Sequence, residues 1–213
     1  STFNEILIKT LKNQVSNNIK FPIVLICSQN LFQNEIQKLK KKITLRKFEN
    51  QKKLDKKNVY IIDIPLDYKN LTSAKKNSYI KKSFEIGLDL LKKNRSSALI
   101  NGPISKTTFL RGKYNGITEY LAFKTKSFNE VMLIFNRDLS VSPMTTHIPI
   151  NLVKSRINKK LIITKCLLIS KFYKKFFNRN SKIAVCGLNP HCETFFELSE
   201  EKKIIEPAIK YLR

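Results

Sequence analysis

The sequence predicts an α/β protein, layered α/β/α, in which helices cover a largely parallel sheet. Three observations carry this. Amphipathic segments at helical spacing alternate with short continuous apolar runs rich in branched residues, the pattern of strands buried on both faces. A chain of 213 residues is long enough to bury a core as one such domain or as two small lobes. Its 42% hydrophobic and 10% aromatic content supplies the apolar surface that offsets chain entropy.

Each element follows from its pattern. Phe3, Ile6, Leu7 and Leu11 recur at helical spacing with Asn4 as a candidate N-cap, so residues 3–17 read as a helix. Pro22 to Cys27 reads as a buried strand, and Leu31 to Lys41 returns to helical spacing. Ile43–Phe48 is a weak strand and Val59–Ile64 a stronger one, stopped by Pro65. Residues 71–94 form a long amphipathic helix with Ile80, Phe84, Leu88 and Leu91 on one face. Ala98–Ile100 is another buried strand, closed by Asn101-Gly102-Pro103.

The second half alternates less regularly. A short helix follows Ser105, and another follows Thr118, with Glu119 in its first turn, where a carboxylate suits the helix dipole. Val131–Phe135 and Leu139–Thr145 are strands joined by the turn Asn136-Arg137-Asp138, an antiparallel excursion that is the candidate boundary of a second lobe. Leu152–Ile157 and Leu161–Phe177 are helical. Lys182–Gly187 is a strand, and Glu200–Leu212 is a last helix with Ile204, Ile205, Ala208, Ile209 and Leu212 inward. No internal repeat or low-complexity tract interrupts the order.

Composition narrows the function classes. Forty-one Lys plus Arg against 16 Asp plus Glu give a net charge of +25. Such a charge favours polyanions through counterion release. Its distribution argues otherwise: Lys is scattered and outnumbers Arg, whereas nucleic-acid readers concentrate charge on one element and favour Arg for bidentate contacts. The runs Lys38–Lys42, Gln51–Lys57 and Lys171–Lys175 read as solvated faces and loops. No apolar stretch is long enough to span a membrane, since Leu161–Phe177 is broken by Lys165, Lys171, Lys174 and Lys175. The four cysteines form no CxxC pair, which points to reduced thiols in a cytoplasmic protein. Cys27, Cys166 and Cys186 sit in apolar runs as packing residues; Cys192, beside His191, stands apart.

Ligands of such folds bind beyond the carboxyl ends of strands. Three strand ends carry unusual residues: Asn101-Gly102-Pro103-Ile104-Ser105-Lys106, Met144-Thr145-Thr146-His147-Ile148-Pro149 and Gly187-Leu188-Asn189-Pro190-His191. The only 2 histidines, His147 and His191, both fall there. As neutral imidazoles they are chemically able to share a divalent metal, or they are ordinary loop histidines. Lys106 follows a Gly-Pro turn where amides and an ammonium can face an anion. Thr118 is a candidate N-cap whose helix amides can take a phosphate, or a simple cap. Dinucleotide GxGxxG, P-loop and GxSxG signatures are absent from the sequence.

These blocks, together with Gly116-Ile117-Thr118-Glu119-Tyr120-Leu121 and Ile205-Glu206-Pro207-Ala208-Ile209, occur in the order and approximate spacing of the 4-hydroxythreonine-4-phosphate dehydrogenase family of pyridoxal phosphate biosynthesis. The opening Asn4-Glu5-Ile6-Leu7-Ile8-Lys9 resembles that family's first helix. The resemblance implies a fold like the isocitrate and isopropylmalate dehydrogenases and a homodimer with active sites at the subunit interface. It implies oxidation of the 3-hydroxyl of 4-phosphooxy-L-threonine, a phosphorylated hydroxy-amino acid, with NAD, followed by decarboxylation to 3-amino-2-oxopropyl phosphate. His147 and His191 match two of the family's three ligands to a divalent metal (Zn, Mg or Co). Thr118 matches a substrate-contacting threonine, and Lys106 matches a lysine near the site, the candidate catalytic residue. No position is assigned to the NAD.

The chain also departs from the family. Ile117 stands where the family usually has His, and Cys192-Glu193-Thr194-Phe195-Phe196 replaces a Gly-rich segment. A first strand with a Gly-Asp-Pro loop and a C-terminal cofactor-binding part with the third histidine have no counterpart, so the chain is expected to be an incomplete subunit, inactive alone. Two other readings follow: a divergent binder of a phosphorylated hydroxy acid, without catalysis or with altered specificity, and a basic nucleic-acid-binding protein, which the scattered lysines disfavour.

Overall fold

The computed structural model describes residues 2–15, 21–49, 54–55, 58–93, 98–127, 129–136, 138–189, 191–192 and 199–213. The chain forms two units, Ser1–Lys113 and Tyr114–Arg213. Arg137, predicted to lie in a turn, together with Pro190, part of the 51–57 charge run and residues 193–198, lies outside the described residues.

In the first unit, α1 (Thr2–Val15) is followed by β1 (Ile23–Cys27), α2 (Gln29–Lys38), β2 (Leu45–Lys47), β3 (Val59–Asp63) and α3 (Ser73–Lys92). The three strands form an all-parallel sheet in the order β1-β3-β2, with Ile23 opposite Val59 and Leu45 also opposite Val59. β3 is central, and Val59, Tyr60 and Ile61 are buried, as an apolar run covered on two faces requires. The core gathers Ile8 and Leu11 of α1, Leu25, Phe32, Ile36, Val59 and Ile61. Ser28 and Thr72 cap α2 and α3, each accepting a first-turn amide hydrogen. α1 begins at Thr2, so Asn4 lies within its first turn rather than capping it.

The expected strand Ala98–Ile100 does not form. Its backbone is irregular, it pairs with no strand among the described residues, and Ile100 is 82% exposed. Leu99 instead packs on α3, where a Cβ at Gly87 would meet its Cδ1 at 2.8 Å. Three apolar residues suffice for a contact with a helix, whereas a strand needs a paired neighbour to satisfy its amides.

The second unit holds α4 (Ile117–Thr125), a 3₁₀ turn (Ile150–Leu152) leading into α5 (Val153–Arg156), α6 (Lys159–Phe177), a π-helical turn (Glu201–Ile205) and α7 (Glu206–Leu212). Its core joins Ile162 and Cys166 of α6 to Ile205 and Ala208, with Met144, Val185 and Ile204 packed around them. Asn158 caps α6, and Asn178 ends it in the left-handed conformation. The antiparallel excursion is reduced to one bridge, Ile134 opposite Val141, bonded in both directions at 2.8 and 2.9 Å. The expected strands Val131–Phe135, Leu139–Thr145 and Lys182–Gly187 are otherwise irregular. Cys186, expected to pack, is exposed, while its neighbour Val185 reaches the core. The predicted 200–212 helix is split, because its first turn widens to the π form before Pro207.

Lys38, Lys40 and Lys42, like Lys171, Lys174 and Lys175, are exposed, as their solvated reading requires. Among the described residues no helix is long and apolar enough to cross a membrane.

Candidate functional site

Lys106 belongs to the first unit. The segment leading to it is possible because residue 102 is glycine: a Cβ there would stand 2.5 Å from Cγ of the Phe3 ring. Lys106 opens the short helix expected after Ser105, which takes the π form over Lys106–Leu110. Ser105 Oγ caps it, accepting from the Thr108 amide at 3.3 Å. Asn77 of α3 donates to the Thr108 carbonyl at 2.9 Å, and the Phe84 and Phe109 rings stack at 6.1 Å. The turn is therefore tied down while the Lys106 side chain stays in solvent.

Thr118, His147 and His191 belong to the second unit. Thr118 is not the cap of α4. Gly116 occupies that position in extended backbone and offers no side chain, so Thr118 falls in the first turn, half-buried. The structure brings this block together with His147. A Cβ at Gly116 would lie 3.2 Å from His147 Nε2 and 3.0 Å from Glu119 Oε2, so glycine leaves room for both side chains. Those two atoms are no farther apart than the sum of these distances. His147 holds a left-handed backbone, φ 56°, a conformation that costs a non-glycine residue roughly 1 kcal/mol and persists only where neighbours fix it.

Two neighbours do so. Thr146 Oγ1 donates to Glu119 Oε1 at 3.3 Å. From α6, Lys165 Nζ donates to the carbonyls of Met144 at 2.8 Å and Pro143 at 3.4 Å. Burial pulls the Lys165 ammonium below the usual lysine range, against the opposing influence of Glu130. Thr118, Glu119, Glu130, Thr146, Thr164 and Lys165 all border a cavity of about 190 Å³. Glu119 Oε2 is buried and has no hydrogen-bond partner among the described residues. A carboxylate oxygen so placed calls for a donor or a cation.

His191 is exposed on its own loop. Glu201 Oε1 accepts from the amides of Leu188 at 2.9 Å and Asn189 at 3.1 Å. Asn189 Oδ1 accepts from the His191 amide at 3.0 Å, and its carbonyl accepts from the amide and thiol of Cys192, both at 3.1 Å. The Asn189 amide, with the Leu188 amide behind it, holds the Glu201 carboxyl below the usual carboxylate range. A Cβ at Gly187 would collide with Cys192 Sγ, so any larger residue there would displace that side chain.

Among the described residues no three His, Cys, Asp or Glu side chains gather into a metal cluster. The donors are nevertheless of the right kind for a divalent ion of borderline hardness: two imidazoles on irregular segments, and the Glu119 oxygen that has no partner among the described residues, near one of them. Sequence reasoning read Lys165 only as a charge interrupting an apolar helix and Glu119 only as a favourable helix start. Glu201 carried no pattern of its own. A lone lysine among Ile162, Ile163, Cys166 and Leu168 was the available signal, since a charge there needs partners.

Comparison with known proteins places the chain. Residues 19–213 match the family described as pyridoxal phosphate biosynthetic protein PdxA. The chain is 32% identical over 220 residues to a 4-hydroxythreonine-4-phosphate dehydrogenase of Sulfurihydrogenibium sp., covering 99% of this chain and 66% of that protein. It is 38% identical over 121 residues to one from Wigglesworthia glossinidia brevipalpis, covering 55% of this chain and 36% of that one. A crystal structure of the enzyme from Klebsiella pneumoniae superposes with a TM-score of 0.81 at 24% identity, over 99% of this chain and 67% of that chain, which shows a common α/β fold. The chain thus spans about two thirds, or less, of the relatives it matches. It belongs to the PdxA family.

Proposed function

We propose that this chain is the histidine-bearing part of a dehydrogenase of pyridoxal phosphate biosynthesis, an oxidoreductase acting on 4-phosphooxy-L-threonine. The observation that carries the reading is the meeting of His147 with the Gly116–Glu119 block, which sets a candidate metal ligand beside the first turn that bears Thr118. In that reaction the C3 alcohol would be oxidised to a ketone, with NAD, when bound, as the hydride acceptor and a base taking the hydroxyl proton. The resulting β-keto acid then loses its carboxyl group as carbon dioxide, leaving 3-amino-2-oxopropyl phosphate. His147 and His191 would hold a divalent cation (zinc, magnesium or cobalt), which when bound would supply Lewis-acid stabilisation of the developing oxyanion.

The chain's own residues do the rest. Thr118 orients the substrate from the first turn of α4, where uncapped amides favour an anion. Lys106 is the candidate catalytic lysine, an exposed ammonium on a fixed turn. The +25 charge draws in a phosphorylated substrate and an anionic dinucleotide, which makes a small-molecule role sufficient to account for it without nucleic acid. A homodimer with active sites at the subunit interface, in the cytoplasm, completes the proposal.

Ile117 favours a second reading. It removes the imidazole that family members usually carry beside the threonine, and suits a binder of a different phosphorylated hydroxy acid. A thermal-shift titration separates the outcomes. Cobalt(II) with phosphothreonine should raise the melting temperature of the wild-type protein and not of the His147→Ala, His191→Ala double variant. Stabilisation with NADH formation from 4-phosphooxy-L-threonine supports the dehydrogenase; stronger stabilisation by another phosphorylated hydroxy acid than by phosphothreonine supports the binder. Absence of any shift overturns both.

A further inference from the structure

Glu201 is a buried acid, only 7% exposed, in a chain whose other charged groups mostly lie in solvent. Acidic side chains are rarely so buried unless paired. Its pairing is unusual in direction. One oxygen, Oε1, collects two successive backbone amides, those of Leu188 and Asn189, from a loop 12 or 13 residues earlier. Gly187 permits the approach: a Cβ there would stand 3.3 Å from the same Oε1. The bonds then run on without a break, because the side chain of Asn189 holds the amide of His191. A carboxylate accepting N–H bonds is a stronger anchor than a neutral acceptor, and this one fixes the turn one residue short of the imidazole-bearing segment.

We propose that Glu201 is a positioning residue for His191: its carboxylate holds the Leu188–Asn189 amides so that the turn presents the imidazole to a divalent cation. The inference rests on the metal-binding part of the proposed function. A simple fold-stabilising role would not need the acceptor to converge on the two amides leading into a ligand. Partners that orient metal ligands in this way, when removed, commonly weaken metal binding about 10- to 100-fold.

The test compares wild type, Glu201→Ala and Glu201→Gln, with cobalt(II) alone as the probe and amide hydrogen exchange as a second readout. Glu201→Ala should weaken cobalt binding at least about tenfold and lose exchange protection at the Leu188 and Asn189 amides. Glu201→Gln, which keeps a carbonyl acceptor, should restore most of both. Cobalt affinity unchanged in Glu201→Ala overturns the inference, as does equal loss in the Ala and Gln variants with native protection at both amides. A wild-type protein that takes up no cobalt overturns the metal reading instead; the exchange at Leu188 and Asn189 then decides whether Glu201 holds the turn, and unchanged exchange there overturns that as well.

Discussion

Lys165 donates to the carbonyl of Met144 across 2.8 Å, so a charge within α6 holds the segment that leads to His147. The same ammonium reaches the Pro143 carbonyl at 3.4 Å. Replacing it with an apolar chain of similar length leaves both carbonyls short of a donor while relieving the cost of burying a charge.

Lys165→Met is therefore expected to destabilise the protein by about 1 kcal/mol, the lost charge-assisted bonds outweighing the relieved desolvation. Urea denaturation should show a lower midpoint with an unchanged slope. A midpoint equal to wild type would mean that the two carbonyls are equally well served by water.

Gly116→Ala tests the meeting of His147 and Glu119. Its backbone, at φ −163°, accepts alanine without strain, so the effect comes only from the new Cβ pressing on Glu119 Oε2 and His147 Nε2. One or both side chains must shift by a few tenths of an ångström. The expected outcome is a loss of about tenfold in cobalt(II) affinity, of the order found when ligand placement is disturbed, with little change in melting temperature. Cobalt affinity equal to wild type would show that His147 tolerates the displacement.

The four thiols should separate by environment. Burial, with Asp63 adding to it, pushes the Cys27 thiol up to about 12, and burial also raises that of Cys166. The thiolate is the reactive form, so a thiol reagent at mildly alkaline pH should label the exposed Cys186 and Cys192 quickly and spare Cys27 and Cys166 until unfolding. Because the folded-state pKa of Cys27 lies above its ordinary value of 9.0, the folded state keeps a proton that the unfolded chain releases. Its contribution is full below that value and falls as pH rises toward about 12. Four equally reactive cysteines in the native protein would contradict the burial pattern.

Ile117→His restores an imidazole beside Thr118. If the substrate is the one usual in the family, affinity for 4-phosphooxy-L-threonine should tighten by about tenfold, the value of one hydrogen bond to a charged group. Calorimetric titration would read it directly. A weakened affinity would favour a different phosphorylated hydroxy acid as the ligand.

Elements with strong local period were legible: α1, α3 and α6, and the parallel strands β1 and β3. Short apolar runs were not. Ala98–Ile100 and Lys182–Gly187 look like buried strands in one dimension, yet a strand exists only when a neighbour takes its backbone hydrogen bonds. Leu99 and Val185 spend their apolar surface against helices and core instead.

The residue chemistry available to this protein was written in its order: two histidines in turn-rich blocks, a lysine after a Gly-Pro turn, a threonine in a glycine-bounded helix start, and a net positive charge. Hydrophobic period and turn chemistry act over a few residues, so they can be read in line. Which groups meet depended on contacts between residues far apart in the chain. The approach of Glu119 to His147, the grip of Lys165 on Met144 and that of Glu201 on Leu188 and Asn189 span 12 to 28 positions and carry no local signature. Burial gives these pairs their weight, since a carboxylate or ammonium removed from water must find partners wherever packing puts them.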